Sequence, residues 1–383
     1  MNTDVNFRNA HTFSFDLPTK IIFQANALRT VPERLALAGK KRALLILTQG
    51  SLQRLSSIAE LLNNTEGAEL VPYLLDHSFK ASTEELQEVK TFLKQDDCDS
   101  IVSLGGGNVL DFAKVAAICL DENVDLKTVV GRTFEKVHQR LFHIAIPTTF
   151  GTGSEITKGA IIKDVERGIK DGVRGSALFP DEALIDPELG RSLPDTVLRE
   201  TLFDSFTHAF EAIQAVKRTR LMDCIAYEAL TTINKSVARY AAQQFSAEFY
   251  HDIAYGALLG GLCVAHVGTC LPHRFEQAFA PLYSHSHGAG LAAFYPKWVA
   301  LLDEHNVART LPKSVNKFDS LSQYVDSILY DLRLDQLEDE LKETSISAAS
   351  IITRITGNTL NDPLVNQLGA GVITRLLQQI TGH

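Results

Sequence analysis

Ser100-Ile101-Val102-Ser103-Leu104, short, β-branched and apolar as a strand buried in a parallel sheet should be, runs directly into Gly105-Gly106-Gly107-Asn108. Beyond the turn, Val109, Leu110, Phe112, Ala113, Val115, Ala116 and Cys119 recur at helical spacing, with Asp111 and Lys114 between them. The segment therefore reads as strand, tight turn, helix. The strand shows no polar alternation, which fits burial on both faces of a parallel sheet. Three glycines let the backbone approach a diphosphate closely, at the positive end of a helix dipole. The spacing is not G-x-G-x-x-G, and a triple glycine taken alone is equally an ordinary turn.

The pattern recurs. From about residue 20 to 188, short apolar runs such as Arg42 to Thr48 and His143 to Ile146 alternate with amphipathic stretches such as Thr83 to Leu93. That alternation predicts a parallel sheet covered by helices. After Asp186-Pro187 the texture changes to long 3.6-residue periods, for example Leu321, Val325, Ile328, Leu329 and Leu332. With 383 residues, 45% of them hydrophobic, the chain is long enough for two domains. We expect an α/β dinucleotide-binding domain over residues 1–190 and an all-helical domain over 191–383.

Chemistry concentrates at two places. Asp204 and His208 lie four residues apart, so a helix stacks carboxylate and imidazole on one face. His273 and His287, the latter followed by Gly288, would have to join them through tertiary folding. One carboxylate and three imidazoles suit Fe(II), Zn(II), Mn(II) or Co(II). His266 and His285 lack matching partners and read as ordinary polar histidines, with His285 at most lining the site. The second place is Pro147-Thr148-Thr149-Phe150-Gly151-Thr152-Gly153-Ser154-Glu155, a hydroxyl-rich loop at the carboxyl end of a predicted strand, where ligands of open α/β sheets bind. In isolation the same loop would read as a surface turn.

Taken in order, Gly105-Gly106-Gly107-Asn108 with Asp111, Ala113 and Lys114, then the Pro147 to Glu155 loop, Asp186-Pro187-Glu188-Leu189, Asp204 to Glu211, and His287-Gly288 resemble the iron-containing (group III) alcohol dehydrogenases. The resemblance runs from about residue 10 to the C-terminus. It implies the architecture shared with dehydroquinate synthase, an α/β nucleotide-binding domain and an all-α domain with a metal in the cleft between them. It also implies that Asp204, His208, His273 and His287 hold Fe(II), or else Zn(II). Gly105, Gly106, Gly107, Asn108, Asp111, Thr148, Thr149 and Thr152 would hold NAD or NADP. Lys170 resembles a lysine that the family keeps near the cofactor. The implied reaction is hydride transfer between nicotinamide and a small alcohol or aldehyde, in a homo-oligomer such as a dimer. The runner-up is a metal-independent reductase of the same superfamily, similar to maleylacetate reductase. A dehydroquinate synthase would need a cleft rich in lysine and arginine, which is not apparent, and a non-enzymatic scaffold would predict a damaged ligand set.

Several positions depart from the family pattern. Asn108 replaces the usual Ser, and Phe150 stands where a small residue is common. Gln277 occupies the place of a second histidine, and Leu202 that of a small residue. Phe150, Phe275, Gln277 and Tyr283 are expected near the substrate. At the end of the second strand a carboxylate would bind the adenosine ribose and repel a 2′-phosphate. Gln49 is uncharged there, so NADP(H) stands beside NAD(H) and is slightly favoured, although the turn itself contains no arginine. A net charge of −9 argues against a nucleic-acid partner. Five scattered cysteines read as reduced thiols, and without a signal peptide or an apolar run of membrane-spanning length the expected location is the cytoplasm.

Overall fold

The structure, a computed structural model, describes residues 12–63, 67–280, 282, 285–335, 348–355 and 358–381. They divide into two compact units, Asp16–Pro194 and the residues from Asp195 onward together with residues 12–15.

The first unit is built on strands β1 (Lys20–Phe23), β2 (Arg42–Thr48), β3 (Glu69–Leu75), β4 (Ser100–Gly105) and β5 (Phe142–Pro147), with a late strand, Glu182–Ile185, completing the sheet. Between β5 and that last strand, β6 (Gly159–Asp164) and β7 (Ile169–Arg174) pair separately as an antiparallel ribbon, so Glu182–Ile185 is β8. The main sheet has the order β1-β8-β5-β4-β2-β3, with every pairing parallel. Side chains alternate between its faces, and both faces are buried. Ala43, Leu45 and Leu47 join Val102, Leu104, Ile144 and Ile146 beneath helices α1 (Val31–Leu37) and α3 (Ser56–Leu62), which flank the short α2 (Gln49–Arg54). Leu44, Ile46 and Ile101 pack on the other face against α4 (Thr83–Gln95) and α5 (Gly107–Ile118). Two-sided burial is why these strands lack a polar alternation.

Strand order reverses next to β2. The chain leaves β2 for β3 on one side, then crosses back to β4 on the other, so the connections diverge between the carboxyl ends of β2 and β4. Crevices at such reversals are where open α/β sheets bind ligands. Gln49 follows β2 directly, and Gly105 to Gly107 close β4.

In the second unit, α6 (Asp195–Gln214), α7 (Arg220–Ala241), α8 (Ala247–Val267), α9 (Leu271–Phe279), α10 (His287–Glu304) and α11 (Leu321–Asp331) are the longer helices, with shorter ones near the C-terminus. Pro194 precedes α6, whose residues Leu202 to Gln214 are all buried. Phe203, Phe206 and Phe210 recur along it and meet Tyr295 and Trp298 of α10 and Tyr324 of α11. This aromatic packing makes α6 the central helix of its unit and forces its polar residues to find partners inside.

The division between units falls after Pro194, four residues beyond the position expected from the sequence. The reason is Asp186, whose carboxylate accepts hydrogen bonds from the backbone N–H groups of Asn26 (2.9 Å) and Leu28 (3.2 Å) and so ties the Pro187–Ser192 turn to the sheet. Residues 12–15, expected with the sheet, belong to the helical unit because the Phe15 ring stacks on His266 at 4.2 Å. No single helix among the described residues is long and apolar enough to cross a membrane. The bent pair α8 and α9 passes that test by length and composition, but both helices bury their apolar residues inside the unit.

Candidate metal centre and dinucleotide loops

Asp204 and His208 are one turn apart on α6 and both are buried. His273 arrives from the first turn of α9. That turn is held by two carboxylates, since Glu211 accepts from the Cys270 N–H at 2.5 Å and Asp362 from the Leu271 N–H at 2.9 Å. His287 opens α10, where Ser286 caps the helix and donates to Glu200 of α6 at 2.7 Å. A Cβ on Gly288 would lie 2.5 Å from the Glu200 carbonyl oxygen, so only glycine lets α10 press against α6 and bring His287 to the site.

The Asp204 Oδ1 atom lies 3.4 Å from His208 Nε2, 3.8 Å from His273 Nε2 and 3.6 Å from His287 Nε2. Donors about 2.1 Å from one tetrahedral centre stand about 3.4 Å apart, and the ligand atoms of Asp204, His208 and His273 all lie within 4.8 Å of one another, a spacing that suits a single divalent ion, with His287 reaching Asp204 from α10. Among the described residues, Asp204 Oδ1 and His273 Nε2 are buried without a hydrogen-bond partner. Buried polar atoms left unpaired are costly, and a cation between them resolves both.

Two further carboxylates orient the imidazoles. His273 Nδ1 lies 2.8 Å from Glu211 Oε1, and His287 Nδ1 lies 2.5 Å from Glu276 Oε2. With Nδ1–H donating, each Nε2 presents its lone pair to the centre. Glu211 also accepts from Tyr295 Oη at 3.0 Å. Glu276 and Tyr295 escaped the sequence reading. Glu276 shares a face of α9 with His273, three residues away, but its partner comes from the next helix.

Glu211→Gln leaves one acceptor facing three donors, so we expect metal affinity to fall about 10- to 100-fold, as losses of orienting carboxylates do. Competition with a fluorescent chelator measures this, and an unchanged affinity contradicts the assigned role.

Protonation follows from the same arrangement. Burial pushes the His208 imidazole down to about 4, against the pull of Asp204. For His273 burial also acts downward, but Glu211 and Asp204 outweigh it and raise the imidazole to about 9. Burial would raise the Asp204 carboxyl, yet the surrounding imidazoles hold it below its ordinary range. In the metal-free protein His273 therefore adds stability that is fully present below the unfolded value of about 6.5 and lost as pH rises through about 9. Metal binding runs the other way, because His273 must first release its proton. Affinity measured between pH 6 and 9 should rise with pH, and a flat profile would overturn this reading.

In the α/β unit the two polar loops meet. Thr148 N–H donates to the Gly105 carbonyl at 2.9 Å, and a Cβ on Gly107 would sit 2.8 Å from the Thr152 side chain. Among the described residues no side chain caps α5, which begins directly after β4 at the carboxyl end of the sheet. Thr149 and Asn108 border this turn, and Gln49 lies at the end of the neighbouring β2.

Asp111, expected to touch the cofactor, has its carboxylate engaged within the protein. It accepts from Ser154 Oγ at 2.5 Å, the Ile161 N–H at 2.8 Å and Lys114 Nζ at 3.1 Å. It positions the loop and does not project from it. The fully buried Lys114 extends this network to Thr157 and the Gly159 carbonyl. Lys170 lies on β7 opposite Lys163 in the small ribbon, half-buried.

The expected pocket residues fare differently. Phe275 is completely buried against Phe294, and Phe150 is also buried. Gln277 accepts from Arg274 at 3.0 Å, and Tyr283 lies outside the described residues. His285 is exposed, and His266 bonds the Leu262 carbonyl at 2.9 Å.

Residues 18–187 match the model of the family described as iron-containing alcohol dehydrogenase, and residues 199–339 match that family's C-terminal model. The chain is 30% identical over 278 residues to the NAD-dependent methanol dehydrogenase of Bacillus methanolicus, covering 72% of each protein. It is 32% identical over 214 residues to long-chain-alcohol dehydrogenase 1 of Geobacillus thermodenitrificans, covering 55% of this chain and about half, 53%, of that one. Among solved structures, 1,3-propanediol oxidoreductase superposes with a TM-score of 0.82 at 21% identity, covering 97% of this chain and 100% of the other. Sulfoacetaldehyde reductase from Bifidobacterium kashiwanohense gives 0.82 at 19% identity, with 96% and 98% covered. A parallel α/β sheet unit, a helical unit in which Asp204, His208 and His273 bring ligand atoms within 4.8 Å of one another, and family matches across both establish that the chain belongs to the iron-containing alcohol dehydrogenases.

Proposed function

We propose that this protein is a metal-dependent, NAD(P)-linked alcohol dehydrogenase or aldehyde reductase acting on a small alcohol or aldehyde. The observation that carries the reading is the spacing of 3.4, 3.6 and 3.8 Å between Asp204 Oδ1 and three imidazole nitrogens. All four donors are present, whereas a metal-independent reductase has no need of them.

Asp204, His208, His273 and His287 would hold Fe(II), and the same donors accept Zn(II). When bound, the metal supplies Lewis-acid polarisation of the substrate oxygen, and the nicotinamide supplies or accepts the hydride. The chain's own residues do the rest. Asp204 brings the one negative charge among the ligands, and Glu211 and Glu276 fix two imidazoles in the metal-binding tautomer. His287 is the most open ligand, its side chain 35% exposed while those of the other three are nearly closed off, so substrate oxygen approaches from its side. Gly105 to Gly107 and Asn108, with Thr148, Thr149 and Thr152, would cradle the dinucleotide diphosphate. Gln49 would face the adenosine ribose, and Lys170 would stand near the cofactor. We assign the protein to the cytoplasm and to a homodimer, as the family reading suggests.

The test is anaerobic turnover on a panel of short aldehydes with NADH and NADPH, after chelation and after re-addition of Fe(II) or Zn(II). Activity should disappear with chelator and return with metal. Turnover indifferent to chelation would transfer the protein to the metal-independent reductases.

A further inference from the structure

We propose that Arg54 recognises the 2′-phosphate of NADP(H) and makes this chain prefer the phosphorylated cofactor. The inference rests on the dinucleotide reading above and deepens it at one position. By sequence the turn after β2 contains no arginine, since Gln49-Gly50-Ser51 follow Thr48 directly. In the folded chain Arg54, at the end of the six-residue α2, turns back over its start. Its Nη1 lies 3.1 Å from where a Cβ on Gly50 would stand. Glycine at position 50 thus leaves the space that the guanidinium occupies, one residue from Gln49.

The charge balance singles out this arginine. Arg54 shares a cavity of about 340 Å³ with Arg29 and Arg191. Arg29 is paired with Glu60 at 3.1 Å and Arg191 with Glu188 at 2.6 Å, so the carboxylates of that cavity have cations of their own. Asp186 is already occupied by backbone N–H groups. Arg54 is exposed and has no carboxylate partner among the described residues. An unneutralised planar guanidinium suits bidentate contact with a phosphate. Gln49, in the place where a carboxylate would select a free ribose hydroxyl, offers no repulsion.

The test is the binding of NADPH and NADH to the intact protein, followed by nicotinamide fluorescence, with 2′,5′-ADP and 5′-AMP as calorimetric probes of the adenosine end alone. The parent protein should bind NADPH and 2′,5′-ADP more tightly than their unphosphorylated counterparts. Arg54→Gln should weaken NADPH and 2′,5′-ADP about 10- to 100-fold and leave NADH and 5′-AMP within about twofold, the size of one charge-assisted phosphate contact. A parent that binds NADH at least as tightly as NADPH overturns the proposal and leaves the dehydrogenase reading standing. So does a variant that weakens both cofactors equally or neither. A parent that binds neither dinucleotide overturns both.

Discussion

Asp204→Asn is expected to abolish metal binding and turnover while leaving the metal-free protein folded. The side chain keeps its shape, so the packing of α6 is unchanged. What disappears is the only negative charge among the four ligands, on a carboxylate that is itself buried. A charge pair near a protein surface contributes about 4 kcal/mol at 4 Å, and the ion carries two charges, so affinity should fall by at least about a hundredfold. Loss of the metal removes the polarising group, and turnover should drop by about a thousandfold or more, corresponding to several kcal/mol of barrier. The metal-free fold should lose only the attraction between the Asp204 carboxylate and the surrounding imidazoles, which holds that carboxyl below its ordinary range. Metal analysis, steady-state rates and thermal unfolding of the chelated protein separate these effects. A variant that unfolds would make Asp204 a structural residue, and one that keeps its metal would remove it from the ligand set.

Gly107→Val should do the converse and remove dinucleotide binding while sparing the metal. A Cβ at residue 107 already lies 2.8 Å from Thr152 Cγ2 and 3.0 Å from its hydroxyl, and valine adds two methyl groups. Either the Thr152 loop retreats or the start of α5 shifts, and both move the N–H groups that would face the diphosphate. Overpacking of this kind costs about 1–3 kcal/mol, so NAD(P)H affinity should fall about 10- to 100-fold. Metal stoichiometry should stay at the parent value, because no residue of α5 lies in the helical unit. Unaltered dinucleotide titration in this variant would mean that the glycine turn does not form the phosphate cradle.

The contrast between these sites explains what could be read in one dimension. Asp204 and His208 were legible because helical spacing alone stacks them, and chemistry makes their type conspicuous. The sheet was legible because strands buried on both faces cannot hide polar alternation, and Arg42 to Thr48 and Ser100 to Leu104 are strands. Glu276 was not legible, since its function depends on reaching His287 from a different helix. Phe275 misled for a related reason. It neighbours a metal ligand in sequence, yet on α9 it faces Phe294 together with Phe279, one turn later. Asp111 and Arg54 are mirror cases. The first stands in the glycine motif and turns inward to Ser154 and Ile161, while the second stands outside the β2 turn and folds back to it. Sequence proximity to a motif places a backbone, and only packing decides where the side chain goes.

Two features tie site and fold together. Tyr295 belongs to the aromatic packing around α6 and also donates to Glu211, so the core of the helical unit and the orientation of His273 share one side chain. Gly288 connects α10 to α6 at the residue next to a ligand. Both arrangements hold the donors through contacts within the helical unit that need no ion, which favours binding with little reorganisation.

One divalent ion is expected among Asp204, His208, His273 and His287. X-ray absorption at the metal edge of protein loaded anaerobically with one equivalent of Fe(II) tests it most directly. Nitrogen and oxygen scatterers are expected at about 2.0–2.2 Å with the outer-shell signature of three imidazoles. A sulfur scatterer, or a spectrum with no imidazole contribution, would contradict it.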